Sequence, residues 1–320
     1  MRRSFRSLAV LAAPLALAVV VSGCSTSGPA ASGSSAPTPS AGSPILIVAS
    51  TNVYGDIAEQ IGGDAVSVTS IIDDPDRDPH EYQADAQNQL ALSKAQIVIE
   101  NGGGYDDFID TMLQAANNPG ATVLTAADLS GFDQNPADGS FNEHVWYDLP
   151  TVAKVVDRLT SVLTAADPAG AVTFSANAAS FTARLTTIEQ AVAAAASTDA
   201  GVGAAITEPV PLYLLTAMGF TNKTPEAFSA AVEEGTDAAP DVLQQTLALF
   251  TEHQVAVLVY NEQTSGPQTE AVLAAAKSAG IAVVPVTETL PAGETYLDWM
   301  SATVTAITAA VCTTAASQCR

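Results

Sequence analysis

Basic residues are scarce in this chain, and their scarcity excludes two classes of partner. Among 320 residues, 11 lysines and arginines stand against 34 aspartates and glutamates, so the formal net charge is −23 at pH 7. A surface of this sign repels nucleic acid and offers no polybasic contact to an anionic membrane. We therefore expect no nucleic acid among the partners. The same field favours the approach of cations, although a solvated acidic surface is the ordinary explanation for most of these carboxylates.

Histidine and cysteine are equally rare, with three residues of each. The chain also lacks the His-Glu-x-x-His, Gly-x-Ser-x-Gly and phosphate-loop patterns that mark large classes of enzyme. We therefore expect a protein that is not an enzyme.

We expect the first 23 residues to form a targeting segment rather than part of the fold. Three arginines precede an apolar run at residues 8–21, which is shorter than the ~20 residues that a membrane-spanning helix needs. The run ends in Val21-Ser22-Gly23-Cys24, which resembles a bacterial lipobox with valine where leucine is more usual. We expect a mature chain that begins at Cys24, carries lipid there, and is anchored in the extracytoplasmic face of the cell membrane. The alternative is a secretory signal with an incidental cysteine.

A flexible tether follows the expected lipid anchor. Residues 25–44 are serine, threonine, glycine, alanine and proline, with no charge and no large apolar side chain. Such a stretch has nothing to bury, so we assign residues 24–44 to a tether between the membrane and a folded body. Removing residues 1–23, which hold three arginines and no acidic residue, moves the formal charge from −23 to about −26.

The other two cysteines lie near the C-terminus. Six residues separate Cys312 from Cys319, and in an extracytoplasmic protein they are candidates for a local disulfide. The alternative is a soft metal site, but it has only these two thiols and no histidine nearby.

The body of the chain has the pattern of two lobes. Strand-like apolar segments alternate with helical segments at residues 45–166 and again at 200–320, which predicts two α/β lobes with mainly parallel sheets. Residues 169–197 contain no proline and place apolar residues at helical spacing, so one linking helix of about 40 Å is expected within residues 167–199. In the first lobe, Gly102-Gly103-Gly104 is expected to open a helix. The segment 224–235 shows only a helix-start pattern.

Four polar residues occupy places where α/β sheets bind ligands, which is outside the carboxyl ends of strands. In the first lobe, His80 follows a predicted strand and His144 precedes a predicted helix. In the second lobe, Glu208 and Glu288 directly follow predicted strands. Scarce imidazoles beside carboxylates are typical of transition-metal sites, so a cation held by all four would lie in the cleft between the lobes. Taken singly, each glutamate has the alternative of a solvated loop carboxylate, and each histidine that of an ordinary core or surface residue.

Several motifs, taken in order, resemble the zinc- and manganese-binding receptor lipoproteins of bacterial ABC importers (solute-binding protein family 9). They are Ala49-Ser50-Thr51-Asn52, Asp78-Pro79-His80-Glu81-Tyr82, Glu100-Asn101-Gly102-Gly103-Gly104-Tyr105, His144-Val145-Trp146-Tyr147-Asp148 and Thr207-Glu208-Pro209. The resemblance covers residues 45–311 and implies two α/β lobes joined by a long helix, with a metal ion buried between them.

The resemblance also implies a role for each candidate. His80 and His144 match the two ligands that the first lobe supplies in this family. Glu208 matches the third position, which is histidine in many zinc receptors and glutamate in many manganese receptors. Glu288 falls at the fourth position, which is usually aspartate, and its longer side chain leaves direct and water-mediated binding both open. His253 matches no ligand, and we expect it to be structural.

The implied function is the capture of one divalent ion and its delivery to a membrane permease driven by a cytoplasmic ATPase. Two neutral imidazoles and two carboxylates would neutralise such an ion, which limits the cost of burying it. Carboxylate ligands favour Mn²⁺ or Fe²⁺, whereas general affinity favours Zn²⁺ over Mn²⁺, and we expect Zn²⁺ slightly ahead of Mn²⁺.

Two other functions stay open at this point. One is a metal-dependent hydrolase, in which Glu81 or Glu143 would be the general base beside the ion. The other is a surface adhesion lipoprotein that binds metal for stability. We expect a monomer in each case.

Overall fold

A computed structural model describes residues 43–74, 82, 85–137 and 141–314 of the chain. The expected signal segment, residues 24–42 of the expected tether, His80 and Cys319 lie outside the described residues, as does the side chain of Cys312. The predictions of lipidation and of a disulfide, and the role of His80, therefore stay predictions.

The first lobe contains a parallel sheet with the strand order β2-β1-β3-β4. Its strands are β1 (Ile45–Thr51), β2 (Val66–Ile72), β3 (Ile97–Glu100) and β4 (Thr122–Thr125). The helices around it are α1 (Asn52–Gly62), α2 (Ala86–Leu92), α3 (Phe108–Ala116) and α4 (Ala126–Ser130). The two central strands, β1 and β3, are almost entirely buried because helices cover both faces of a parallel sheet.

The second lobe repeats this arrangement with the strand order β6-β5-β7-β8, also parallel. Its strands are β5 (Gly203–Ile206), β6 (Thr221–Asn222), β7 (Val257–Asn261) and β8 (Ala282–Val286). Its helices, numbered after the two that precede this lobe, are α7 (Leu212–Ala217), α8 (Glu226–Glu233), α9 (Pro240–Thr251), α10 (Pro267–Ser278) and α11 (Tyr296–Thr314). In each sheet the chain reverses its winding direction between the two central strands, which is the place where open α/β sheets bind ligands.

Two helices, α5 (Leu149–Ala166) and α6 (Ala171–Thr198), lie between the two sheets in the chain. Helix α6 has 28 residues, which corresponds to about 42 Å. Its buried residues follow alternating spacings of four and three, and form one stripe: Phe174, Ala178, Phe181, Leu185, Ile188, Val192 and Ala195. The stripe packs against α1 and α5 of the first lobe and against α7 and α11 of the second. The expected fold class, two α/β lobes with a long linking helix, is confirmed.

One predicted helix begins later than expected. The glycines at 102–104 do not open it; they have φ angles of 73°, 69° and 99°, which a right-handed helix does not admit. The turn is held by Asp106, whose carboxylate accepts hydrogen bonds from the backbone N–H groups of Asn101 (2.6 Å) and Gly102 (2.7 Å). Helix α3 starts only at Phe108. The short elements α4 and β6 were not expected, and α8 fills the segment that had shown only a start signal.

No helix within the described residues combines the length and the apolar character that a membrane span requires.

Candidate metal site

The second lobe places two of the predicted ligands at neighbouring strand ends. Glu208 follows β5 by two residues and Glu288 follows β8 by two residues, and both side chains are buried. Asn261, the last residue of β7, lies between them. Its Nδ2 donates to Oε2 of Glu208 at 2.5 Å and to Oε1 of Glu288 at 3.0 Å. The amide therefore holds the two carboxylates together and occupies one oxygen of each.

His144 enters the site from the first lobe. It precedes a 3-10 turn at Val145–Tyr147 and is completely buried. Its Nδ1 lies 2.8 Å from Oδ1 of Asn142, which also accepts from the backbone N–H of His144 at 3.2 Å. The Nδ2 of Asn142 donates to the carbonyl of Pro209, which fixes the orientation of the amide. Because Oδ1 can only accept, Nδ1 carries a proton, and Nε2 of the neutral ring is left to bind an ion.

The Nε2 atom of His144 faces two carboxylates. It lies 3.4 Å from Oε1 of Glu233 and 3.9 Å from Oε2 of Glu288. Glu288 thus directs one oxygen to Asn261 and the other to the imidazole. Ligand atoms of Glu143, His144 and Glu233 all lie within 4.8 Å of one another, a spacing suited to a metal ion.

Aromatic side chains of the first lobe surround the imidazole. The ring of Tyr105 lies 5.9 Å from that of His144, and the ring of Trp146 lies 5.1 Å from it, both edge-on. Both aromatic side chains are buried. They exclude water from this side of the site, which strengthens any electrostatic interaction inside it.

The loop that carries Glu288 is held from both sides. Within the second lobe, the side chain of Gln263 accepts a hydrogen bond from the backbone N–H of Glu288. From the first lobe, the Tyr147 hydroxyl donates to the carbonyl of Thr287 at 2.8 Å. The Asn52 side chain both donates to the carbonyl of Leu290 (2.9 Å) and accepts from its N–H (2.8 Å). Glu288 is therefore positioned by both lobes.

The cluster retains protons when no cation is present. Burial and the carboxylates of Glu288 and Glu233 raise the pKa of Glu208 to about 8. Burial disfavours the imidazolium form of His144, but the carboxylates of Glu233 and Glu288 outweigh it and raise the pKa of His144 to about 9. The site therefore has an excess of negative charge that a proton or a metal cation compensates.

The structure brings together three of the four predicted ligands, His144, Glu208 and Glu288, with residues that sequence reasoning missed. His80 lies outside the described residues, and no structural finding bears on it. His253 is exposed with φ 51° just after α9, as suits a turn residue that ends a helix.

Two polar residues of the site, Asn261 and Glu233, were not predicted. Asn261 ends a strand, and an asparagine there is usually read as a turn residue. Glu233 is the last residue of α8, in a segment whose pattern was unclear. The sequence did contain one signal for Glu233. An acidic residue in the last turn of a helix opposes the helix dipole, so a nearby cation would stabilise it.

Comparison with known proteins gives a match over most of the chain. Residues 47–310 match the family model described as zinc-uptake complex component A, periplasmic.

A curated relative matches a shorter part. The manganese-binding lipoprotein MntA of Halalkalibacterium halodurans is 28% identical over 149 residues, which are 47% of this chain and 49% of the relative. The chain thus spans about half the length of the curated relatives that it matches.

Solved structures share the fold over nearly their whole length. The periplasmic zinc-binding protein TroA of Treponema pallidum has a TM-score of 0.68 at 19% identity, over 84% of this chain and 99% of that one. The laminin-binding adhesin Lmb of Streptococcus agalactiae has a TM-score of 0.70 at 16% identity, over 83% and 99%. At this level of identity the likeness establishes the architecture.

Proposed function

The chain belongs to the zinc-uptake complex component A family, and from this premise we propose that it is the extracytoplasmic receptor of a metal importer. It captures one divalent transition metal ion in the cleft between its lobes and delivers that ion to a membrane permease energised by a cytoplasmic ATPase. A lipid anchor at Cys24 and the tether at 24–44 would keep the receptor beside its permease.

One observation supports this proposal above the others: buried candidate ligands of the two lobes lie close together at the interface between them. Nε2 of His144 and an oxygen of Glu288 approach within 3.9 Å across the interface, and Asn261 joins Glu288 to Glu208. Polar groups of this kind are costly to bury unless an ion or a proton pairs with them. A cargo ion bound by all of them would contact both lobes at once.

His80 is proposed as the fourth ligand. It follows β2, whose carboxyl end lies at the same edge of the first sheet as the end of β1. With His80 and His144 neutral and Glu208 and Glu288 ionised, the donor set would balance the charge of a divalent ion.

The cargo is proposed to be Zn²⁺ or Mn²⁺. Relatives carry names for both ions, manganese for MntA and zinc for TroA. An imidazole and carboxylate set suits either metal, since nitrogen ligands are typical of zinc and oxygen ligands of manganese.

The hydrolase alternative receives no support from the relatives, because the family and the lipoproteins above are named for metal binding and uptake. The adhesion alternative has one specific observation in its favour, the name of Lmb. Adhesion would use the outer surface and is compatible with metal capture in the cleft.

The test is metal binding by the purified full-length chain. After treatment with a chelator, the protein is titrated with Zn²⁺ and with Mn²⁺ in competition with an indicator chelator, and bound metal is counted by mass spectrometry. We expect one ion per chain. His144→Ala removes a ligand, so its affinity should fall by more than the ~10–100-fold that loss of an outer-shell partner costs.

The chain offers a matched control in its exposed histidine. His253→Asn removes an imidazole at a position whose positive φ asparagine tolerates, and it should bind metal like the unaltered protein. Stoichiometric binding at full affinity by His144→Ala would contradict the proposed site.

A further inference from the structure

We propose that Glu233 is a further ligand of the captured ion, and that it biases the site toward an ion that prefers oxygen ligands, such as Mn²⁺, over Zn²⁺. The inference rests on the proposed function and adds a residue and a selectivity to it. The four positions implied by the family resemblance do not include Glu233.

The placement of Glu233 is the first argument. Helix α8 ends at this residue, and the chain then turns through Gly235 with φ 64°. The side chain reaches into the site rather than into solvent, since it is only 11% exposed and its Oε1 lies 3.4 Å from Nε2 of His144. Nε2 is the ring atom that Asn142 leaves available for a ligand. An ion bound to Nε2 would therefore lie beside the Glu233 carboxylate.

The local electrostatics give the second argument. A carboxylate at the C-terminus of a helix meets the negative end of the helix dipole. Glu233 also lies in the field of Glu208 and Glu288, which are both buried. The carboxylates of Glu233, Glu288 and Glu143 thus lie close to one imidazole, an arrangement that a divalent cation stabilises and that is unfavourable without one.

Two adjacent glutamates at the end of α8 differ in their suitability for this role. Glu233 is partly buried and faces His144, whereas Glu234 is exposed. A solvated acidic helix end would leave both in water. The difference between the two neighbours provides the matched pair for an experiment.

The type of donors gives the selectivity. His144 offers one nitrogen ligand, and Glu208, Glu233 and Glu288 offer carboxylate oxygens. Zinc sites are typically built from nitrogen and sulfur ligands. An additional carboxylate oxygen suits the harder Mn²⁺, for which oxygen ligands are typical.

The experiment compares Glu233→Gln with Glu234→Gln in the full-length chain. Both variants remove one negative charge from adjacent positions at the C-terminal end of α8. Affinities for Zn²⁺ and Mn²⁺ are measured separately by competition titration, with folding checked by circular dichroism. Because it removes a ligand, we expect Glu233→Gln to weaken Mn²⁺ binding by more than the ~10–100-fold that loss of an outer-shell partner costs, and Zn²⁺ binding by clearly less. Glu234→Gln should change the affinity for neither ion.

A second variant separates ligation from charge. Glu233→Asp keeps the charge but withdraws the carboxylate by one methylene, so a ligand role predicts weaker Mn²⁺ binding and an altered Mn²⁺ electron paramagnetic resonance spectrum. A role through charge alone predicts neither change. If Glu233→Gln should fail to fold, the aspartate variant still decides between these outcomes.

The two proposals fail in different ways. If the unaltered chain binds neither ion stoichiometrically, both the proposed receptor function and the proposed ligand role of Glu233 are contradicted. If the unaltered chain binds metal but both Glu233 variants behave like Glu234→Gln, only the present inference is overturned. An equal loss for both ions would overturn the selectivity.

Discussion

Asn261 shows how a residue that is not itself a ligand can set the geometry of the site. Its Nδ2 donates to both Glu208 and Glu288, while its backbone N–H donates to the Thr207 hydroxyl at 2.9 Å. Its Oδ1 in turn accepts from the backbone N–H of Gln263 at 3.1 Å. Every polar group of this amide is therefore engaged, and the strand end that carries it is fixed between β5 and β8.

Replacing Asn261 tests this positioning role. Asn261→Leu retains much of the volume but removes the donor that holds the two carboxylates, so we expect metal affinity to fall by about 10–100-fold with a folded chain. Competition titration measures the loss, and Asn135→Leu, at an exposed position, is the control. An unchanged affinity in Asn261→Leu would show that the carboxylates need no such support.

Glu100 provides a pH-dependent feature in the first lobe. It ends β3, is buried, and accepts a hydrogen bond from the Thr125 hydroxyl at 2.7 Å. Burial raises the pKa of Glu100 to about 7, against the lowering effect of Thr125 and with a further rise from Asp106. In the unfolded chain a glutamate titrates near ~4.3, so the folded protein binds one proton more between these two pH values.

The pH dependence of this protonation predicts how replacing Glu100 would change the stability of the protein. The stabilisation from protonated Glu100 is complete below the unfolded pKa and is lost as the pH rises toward about 7. Glu100→Gln stays neutral and keeps an acceptor for Thr125. We expect it to be more stable than the unaltered chain by about 1–2 kcal/mol at pH 8, after allowance for solvent screening, and to show little advantage at pH 4. Urea unfolding at both pH values measures this difference, and an advantage that does not vary with pH would contradict the assignment.

At the scale of elements, the loop after β8 is the part of the site that both lobes control. Tyr147 anchors it at Thr287 and Asn52 anchors it at Leu290, on either side of Glu288. Asn52 opens α1 at the carboxyl end of β1, so the ligand-bearing loop of the second lobe rests on the switch point of the first. A substitution of Asn52 should therefore change metal affinity by altering the position of this loop.

Asn52→Ala tests the coupling. Loss of two hydrogen bonds that leaves buried partners unpaired should lower the free energy of unfolding by about 1–3 kcal/mol. Metal affinity should fall as well, because Glu288 loses one anchor. Asn177→Ala is the control, since Asn177 donates to the carbonyl of Ile61 away from this loop and should leave affinity unchanged. If Asn52→Ala and Asn177→Ala bound metal with equal affinity, the anchoring of this loop by Asn52 would have no effect on the metal site.

The elements were predictable where one physical rule dominated. Continuous apolar runs indicated β1 and β3, because strands buried on both faces have no polar positions, and the spacing of Phe174, Phe181 and Leu185 indicated α6. The prediction that the glycines at 102–104 open a helix was wrong, because the residue type does not reveal the sign of φ. The two-residue strand β6 is too short for any periodicity.

The positions of the candidate ligands were predictable where these residues lie just after a strand. Glu208 and Glu288 each follow a strand by two residues, so topology alone placed them at one edge of a parallel sheet. Glu233 follows no strand; it reaches the site only because α8 ends beside His144, and that is a matter of tertiary packing. Sequence spacing contains no rule for such an approach.

At the scale of the whole molecule, the two lobes share one core. A single cluster of buried apolar residues extends from the inner face of the first sheet through α5 and α6 to the inner face of the second. The ring of Phe181 in α6 stacks on that of Tyr296 in α11 at 6.2 Å. Tyr296 also joins the lobes by polar contacts, since its hydroxyl donates to the carbonyl of Trp146 at 2.7 Å and its N–H donates to Asp56 at 2.8 Å. Wide hinge opening would have to break this core as well as the hydrogen bonds.

We therefore expect the metal-free and metal-bound receptor to have nearly the same shape. Small-angle X-ray scattering of the full-length chain, before and after loading with Zn²⁺ or Mn²⁺, should give radii of gyration that agree within about 1 Å, as for partners whose binding surfaces are preformed. Local order should increase instead, because the excess carboxylate charge around His144 is compensated only when the ion is bound; hydrogen exchange in the loop after β8 and at the end of α8 should slow on loading. A large compaction on binding would mean that the shared core opens in solution, and that the ion closes a hinge against the stiffness of α6.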